Sequence, residues 1–163
     1  MNLLIPNMTY PYLPEGRDIK YISIDNKFMA EACKIRNLES TDKNHSTGAV
    51  VVKGGKIIGK GANLSKIKNR FLLKVHKNGL CIRKLLKVRS GEKYWLCPGC
   101  ASSKYHAEYR SVLDAELKGE DTIGADLFLY GHWWCCKSCW DKMISAGIND
   151  VYLVDDANDL FKN

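Results

Sequence analysis

A histidine, a glutamate and two cysteines in the second half of the chain have the types and the spacing of a metal centre. His106 and Glu108 lie two positions apart, and a C-x-x-C motif formed by Cys136 and Cys139 begins thirty positions after His106. Two thiols at this spacing can reach one ion from a single helical turn, and an imidazole brings the number of zinc ligands to three. An ion with one open position activates water, and a neighbouring carboxylate can move protons. These residues therefore predict a catalytic zinc site.

The surrounding sequence predicts helices that begin where these residues lie. Apolar residues at helical spacing start at His106 and again after Cys136, and strand-like runs follow each helix. This alternation favours a parallel pair of strands covered by helices. The two helix N-termini can then converge at one edge of the sheet, where their backbone N–H groups stabilise thiolates. The predicted elements are helices at 106–117 and 137–146 and strands at 125–131 and 150–155.

Two other interpretations of the cysteine motif stay open at this point. A C-x-x-C motif alone is also typical of a redox dithiol, although the presence of His106 and Glu108 argues against it. A closed structural zinc site needs a fourth protein ligand, and Cys135 is the adjacent thiol. The C-x-x-C spacing favours Cys136 with Cys139 as the ligating pair.

The first part of the chain supplies the remaining predicted elements. Apolar residues indicate a helix over 23–38, with Ser23 or Asp25 as its N-cap. Two β-branched runs flank Gly54-Gly55, which is a strong signal for a β-hairpin. Three of the four prolines lie before the helix and predict an irregular arm. The predicted division is an N-terminal arm at 1–22, one domain at 23–155 with a basic insertion at 64–104, and a C-terminal tail at 156–163.

Seven cysteines in a chain of 163 residues indicate metal or catalytic chemistry more than a disulfide framework. The N-terminus has none of the regions of a signal peptide, so we expect a cytoplasmic protein with reduced thiols. Cys33 stands alone in an apolar helix and is expected in the core. A second cluster has the content of a structural zinc site, the alternative being unligated thiols in a flexible loop. Its members are His76, Cys81, Cys97 and Cys100.

The positive charge is concentrated in the middle of the chain. The formal net charge is +7, but residues 66–107 alone hold eleven Lys and Arg against one Asp or Glu. This concentration predicts an anionic partner, and two or three cations suffice to bind a nucleotide phosphate. A solvated loop and a groove for single-stranded nucleic acid are the alternatives. The candidate phosphate ligands are Lys66, Lys68, Arg70, Lys74, Lys77, Arg83, Lys84, Lys87 and Arg89.

Five motifs follow one another in a recognisable order. They are Thr47-Gly48-Ala49-Val50-Val51-Val52, Gly61-Ala62-Asn63, His106-Ala107-Glu108, Cys136-Lys137-Ser138-Cys139 and Ala146-Gly147-Ile148-Asn149-Asp150-Val151-Tyr152. Over most of residues 23–155 they resemble the cytidine/deoxycytidylate deaminase superfamily. The long linker with extra cysteines before the second helix is most similar to the deoxycytidylate (dCMP) deaminase branch. One departure is Cys135, which stands where the family has a proline.

The resemblance implies a fold, a cofactor and the roles of four residues. The fold would be α/β, a three-layer α/β/α sandwich with a mixed central sheet, in a protein that forms homo-oligomers. Four strands are predicted, and the eight residues after Asp155 are barely enough for the fifth that the family commonly has. Glu108 would be the catalytic proton shuttle. The zinc ligands would be His106, Cys136 and Cys139.

Substrate contacts are expected in the segments around the zinc. By resemblance, Asn63 would contact the sugar or the base, and the backbone of Ala107 would contact the edge of the pyrimidine. Trp133 and Trp134 precede the ligand cysteines, and stacking of an aromatic side chain on a base contributes about 1–3 kcal/mol. Because adjacent strand residues point to opposite faces, we expect one tryptophan at the pocket wall and the other in the core.

These points predict a zinc-dependent hydrolase that deaminates a deoxycytidine nucleotide, with dCMP favoured and dCTP second. An enzyme acting on free cytidine or deoxycytidine, or on a polynucleotide, is the first alternative. A non-catalytic zinc-binding interaction module is the second. No apolar stretch approaches the roughly 20 residues that span a bilayer, so no membrane partner is expected. The acidic C-terminal third argues against a broad nucleic-acid surface.

Overall fold

A five-stranded mixed sheet forms the centre of the protein. The computed structural model describes residues 11–42, 44–89 and 92–162. The strands are β1 (Ile19–Ile22), β2 (Gly48–Lys53), β3 (Lys56–Ala62), β4 (Asp126–Tyr130) and β5 (Val151–Val154). Their order across the sheet is β1-β5-β4-β2-β3. β5 pairs in parallel with β1 and with β4, whereas β2 is antiparallel to both β3 and β4.

Helices pack on both faces of this sheet. The helices of the described chain are α1 (Lys27–Glu39), α2 (Arg70–Lys77), α3 (Ile82–Leu85), α4 (Ala107–Leu117), α5 (Lys137–Ser145) and α6 (Ala157–Phe161). α1 contacts β2, β3 and β4, while α4 contacts β2 and β3 and lies beside α5. The α/β fold with a mixed central sheet is confirmed. None of the helices formed by the described residues is long and apolar enough to cross a membrane.

Two strand glycines let the helices touch the backbone of the sheet. Gly48 pairs with Ala62, the residue after Gly61, so the two glycines lie on opposite faces. A Cβ at Gly48 would overlap the backbone of α1 at Arg36. A Cβ at Gly61 would lie 2.5 Å from the amide nitrogen of Ser111 in α4. α1 and α4 therefore pack on opposite faces of the sheet, close enough to contact its backbone.

Most predicted elements form close to their predicted bounds, including the hairpin, the two C-terminal helices and the parallel strand pair. Gly54 and Gly55 connect β2 to β3 at positive φ, as the favoured two-residue turn requires. α1 begins later than predicted because the side chain of Asn26, and not that of Ser23 or Asp25, accepts hydrogen bonds from the first helical turn.

Three features differ from the expectations, two in the flanking segments and one within α1. The N-terminal arm at 1–22, predicted as irregular, contains the strand β1 at its end. Residues 1–10 of that arm lie outside the described residues. The fifth strand is therefore β1, while the chain after residue 155 forms the short helix α6. A four-residue strand without apolar alternation leaves no clear signal in the sequence. Cys33 is half-buried because it lies beside the buried stripe of α1 and not on it.

Replacement of Gly61 by alanine is expected to destabilise the protein by about 1–3 kcal/mol, the usual cost of overpacking. The added Cβ would force α4 away from β3. Urea unfolding followed by circular dichroism measures the free energy of unfolding. Lys56→Ala, at an exposed position of the same strand, is the control and should change it by less than about 0.5 kcal/mol. Equal stability of Gly61→Ala and the wild type would contradict the close contact.

Candidate metal centre and active site

The structure brings His106, Cys136 and Cys139 together, with their ligand atoms within 4.8 Å of one another. Nδ1 of His106 lies 3.5 Å from Sγ of Cys136 and 3.4 Å from Sγ of Cys139, and the two sulfurs are 3.3 Å apart. Tetrahedral zinc with its usual bond lengths holds such atoms about 3.6–3.8 Å apart. The donor types and their separations therefore fit a zinc ion.

The N-termini of α4 and α5 position these ligands. His106 and Cys136 are the residues immediately before the two helices, and Cys139 lies in the first turn of α5. Nε2 of His106 is 3.2 Å from the carbonyl oxygen of Ala101. A proton on Nε2 donated to this carbonyl leaves the lone pair of Nδ1 facing the thiols, the arrangement typical of metal-bound histidine.

The pKa values of the two thiols favour the binding of a divalent ion. The hydrogen bond between the two thiols is the main cause that lowers the pKa of Cys136 to about 3, and His106 acts in the same direction against the effect of burial. Burial raises the pKa of Cys139, and the bond to Cys136 adds to that rise. The pair therefore shares one proton, which binding of a metal ion would release.

Cys135 lies apart from the ligand cluster. It is fully buried in the core, and burial raises the pKa of its thiol well above the usual range. In the part of the chain that the structure describes, no fourth His, Cys, Asp or Glu joins the cluster. This geometry favours three protein ligands and an open fourth position over the closed site.

A cavity of about 290 Å³ adjoins the cluster and is lined at that end by His106, Glu108 and Cys136. Glu108 is the second residue of α4 and only 5% exposed. Burial raises the pKa of its carboxyl. A carboxyl with a raised pKa exchanges protons nearer neutral pH than an ordinary glutamate does, which suits general acid–base chemistry.

Asn63 lines the same cavity, but its side chain mainly holds neighbouring loops together. Its Oδ1 accepts hydrogen bonds from the hydroxyl of Ser40 and the backbone N–H of Thr47. Its Nδ2 donates to the carbonyl of His45. The predicted contact with a substrate therefore depends on the second hydrogen of Nδ2 and stays a prediction.

The two tryptophans both line the cavity. Trp134 is 3% exposed and belongs to the core, whereas Trp133 is half-buried. They follow β4 in a bend outside any strand, so the alternation of strand faces does not apply. Ala107 is fully buried and does not line the cavity. The role of its backbone stays a prediction.

Two histidines of the cavity, His45 and His132, were not among the predicted site residues. Their ring centroids are 6.4 Å apart, and burial lowers the pKa of both, that of His132 to about 3. Both imidazoles are therefore neutral near pH 7 and offer hydrogen bonds without charge. Isolated histidines in loops leave no pattern that sequence analysis could detect.

Of the nine candidate phosphate ligands, Arg83 and Lys84 line the cavity. Arg83 is 9% exposed, donates to backbone carbonyls of its own loop and lies 4.2 Å from the ring centroid of Tyr94. Lys162, which the sequence did not single out, also lines the cavity and lies over the ring of Trp133. Cations from two distant parts of the chain therefore meet at the cavity.

The second candidate cluster also assembles in the folded chain. All four of its side chains are buried, and their ligand atoms lie within 4.8 Å of one another. Two of its cysteines contribute to the wall of the same cavity. The members of this cluster are His76, Cys81, Cys97 and Cys100.

Solved structures that are similar to the chain include the following three. Diaminohydroxyphosphoribosylaminopyrimidine deaminase/5-amino-6-(5-phosphoribosylamino)uracil reductase from Thermotoga maritima is 25% identical, with a TM-score of 0.45 over 77% of this chain and 28% of that chain. The dCMP deaminase from cyanophage S-TIM5, in complex with dCMP and dUMP, is 20% identical, with a TM-score of 0.49 over 85% of this chain and 90% of that chain. Guanine deaminase from Bacillus subtilis is 19% identical, with a TM-score of 0.40 over 78% and 61%.

Comparison at the level of sequence gives the family. No curated protein matches the chain. The family described as "Cytidine and deoxycytidylate deaminase zinc-binding region" matches residues 22–155. This range contains strands β2 to β5, the ligand cluster and Glu108. The chain therefore belongs to the family of zinc-binding cytidine and deoxycytidylate deaminases.

Proposed function

We propose that the protein is a zinc-dependent aminohydrolase that converts a deoxycytidine nucleotide into the deoxyuridine nucleotide and ammonia. The preferred substrate is dCMP, and dCTP is the second candidate. The observation that carries the proposal is one cavity in which the metal ligands, a buried carboxyl and several cations meet. The ligands and the carboxyl define the reaction, and the cations select an anionic substrate.

In this reaction an oxygen from water replaces the amino group at C4 of cytosine. His106, Cys136 and Cys139 would hold the zinc ion, which would lower the pKa of water and so make a nucleophile available at neutral pH. Glu108 accepts the first proton that the attacking water loses and delivers it to ring N3. It transfers the second to the departing amine, so that ammonia leaves and a carbonyl forms at C4. Burial, which raises the pKa of this carboxyl, suits it to both transfers.

The cavity walls suit a pyrimidine nucleotide. Half-buried Trp133 offers an aromatic face for the base. The neutral rings of His45 and His132 offer hydrogen bonds to the base or the sugar. Arg83 and Lys84 supply positive charge for a phosphate. The volume of about 290 Å³ is near the lower end for small-molecule sites, which suits a single nucleotide.

The alternatives differ in what they require of these walls. A deaminase of free nucleosides has no use for the cations, and a polynucleotide deaminase needs an open groove. A non-catalytic zinc module has no use for a proton shuttle, and Glu108 is buried although burial of a carboxyl costs free energy. Assembly into homo-oligomers and a cytoplasmic location stay predictions.

The substrate class is tested by incubating the purified protein separately with cytidine, deoxycytidine, dCMP, dCTP and a cytosine-containing oligonucleotide. Uracil products are measured by chromatography. We expect the highest kcat/KM with dCMP. Preference for deoxycytidine or for the oligonucleotide would support the alternative deaminases, and no product from any substrate would overturn the proposal.

Lys84→Ala is expected to raise the KM for dCMP about tenfold while leaving that for deoxycytidine unchanged. A charge-assisted hydrogen bond contributes about 1.5–3 kcal/mol, and 1.4 kcal/mol corresponds to a factor of ten. Lys74→Ala is the matched control, because this exposed lysine lies in the same insertion but does not line the cavity. An equal effect of the two variants would contradict a phosphate contact at Lys84.

Glu108→Gln is expected to lower kcat by about 10²–10⁴-fold, the usual contribution of a general acid–base group. Glutamine keeps the size of the side chain but cannot carry the proton. Zinc content should stay as in the wild type, since Glu108 is outside the ligand cluster. Wild-type turnover by this variant would rule out the proton-transfer role.

A further inference from the structure

The cluster formed by His76, Cys81, Cys97 and Cys100 has the dimensions of a metal site. Sγ of Cys81 lies 3.6 Å from Sγ of Cys100, which in turn lies 3.7 Å from Nε2 of His76. Tetrahedral zinc places two sulfurs about 3.8 Å apart and a sulfur and a nitrogen about 3.6 Å apart. A disulfide would need about 2.05 Å, and the cysteines of the described chain are all free thiols.

The imidazole of His76 is oriented for such a role. Its Nδ1 is 3.0 Å from the side-chain amide of Asn44. An amide presents either its oxygen or its nitrogen by rotation, so it can accept the proton of Nδ1 and leave the lone pair of Nε2 for a metal. A Cβ at Gly99 would overlap the ring, so the chain between Cys97 and Cys100 turns directly against it.

This cluster is also the only local core that the described part of the insertion has. It consists of three buried cysteines with Tyr94 packed against them, and it is separate from the main core. Three thiols and one ring bury little apolar surface for an insertion of about forty residues, too little to offset the entropy of ordering them. A metal ion that joins four residues of the insertion can supply the missing stabilisation.

We propose that these four residues bind a second zinc ion, which has a structural role and holds the insertion as a wall of the active-site cavity. Three sulfurs and one nitrogen fill all four positions, as in structural zinc sites. Cys81, Arg83, Lys84 and Tyr94 all line the cavity, so the ion would hold the cationic wall in place. This effect on the cavity rests on the proposed function, whereas binding of the ion does not.

A short peptide connects the two metal clusters. Ala101 follows Cys100, and its backbone N–H donates to Oδ2 of buried Asp42. Its carbonyl oxygen is the acceptor 3.2 Å from Nε2 of His106. The second ion would therefore fix the position of the group that orients the histidine of the first site.

The zinc content of the purified 163-residue chain tests the proposal directly. Atomic emission should give two ions per chain in the wild type and one in Cys97→Ser. Cys33→Ser is the matched control, because this half-buried cysteine lies outside both clusters, and it should keep two ions. One ion per chain in the wild type, or two in Cys97→Ser, would overturn the proposal.

Trypsin provides a second readout that does not require a folded Cys97→Ser variant. The insertion is rich in Lys and Arg, so loss of its metal should expose sites for cleavage. We expect the wild type, stripped with a chelator, to be cut in the insertion at least tenfold faster than the same sample reloaded with Zn²⁺. Cys136→Ser, which lacks only a ligand of the first site, should stay resistant when zinc is present. Equal cleavage with and without zinc would overturn the structural role.

Neither measurement uses deaminase activity, so the two proposals can fail separately. Two ions per chain without any uracil product would reject the proposed function and keep the second site. Activity on dCMP with one ion per chain would support the proposed function and reject the second site.

Discussion

Direct contact between α4 and the backbone of the sheet positions almost everything at the site. Gly59 and Gly61 alternate along β3 and have no side chains to keep the helix at a distance. A Cβ at Gly59 would overlap α4 at Ser111 and Ala115, and a Cβ at Gly61 would overlap it at Ala107 and Ser111. Because α4 lies flat on the sheet, its N-terminus, with His106 and Glu108, is held at one edge.

The metal centre follows from this packing. α5 lies beside α4, and both helices present their N-termini, so the imidazole and the two thiols meet without help from long loops. The same N-termini carry partial positive charge, which favours thiolates and a carboxylate in that place. Burial acts in the opposite direction on Glu108 and raises its pKa. The result is a strongly held ligand set next to a carboxyl that can still take up a proton.

A second layer of polar contacts holds the loops around the cavity. Asp42 accepts hydrogen bonds from the backbone of Asn44, His45 and Ala101, and Asn63 is hydrogen-bonded to Ser40, His45 and Thr47 of the same loop. Buried polar groups of this kind are costly when unpaired. The loops are therefore tied to one arrangement, although none of them is regular structure.

Local sequence determined a large part of the architecture and the chemistry. The Gly54-Gly55 turn and the helices after His106 and Cys136 depend on neighbouring residues, so spacing and turn chemistry predict them. The parallel strand pair was predicted from the alternation of helices and strands along the chain. The ligand types and the H-x-E and C-x-x-C spacings likewise indicated zinc and a proton shuttle. β1 escaped prediction because four residues without alternation form a strand only when β5 is there to pair with them.

The remaining features of the site were decided only by tertiary structure. Which two of nine candidate cations reach the cavity depends on how the insertion folds, and Lys162 arrives there from the far end of the chain. His45 and His132 became cavity residues because of contacts between segments far apart in sequence. Asn63, similar by motif to a substrate ligand, mainly binds its own loops. Short-range patterns carry no information about such long-range contacts, since these depend on the packing of the whole domain.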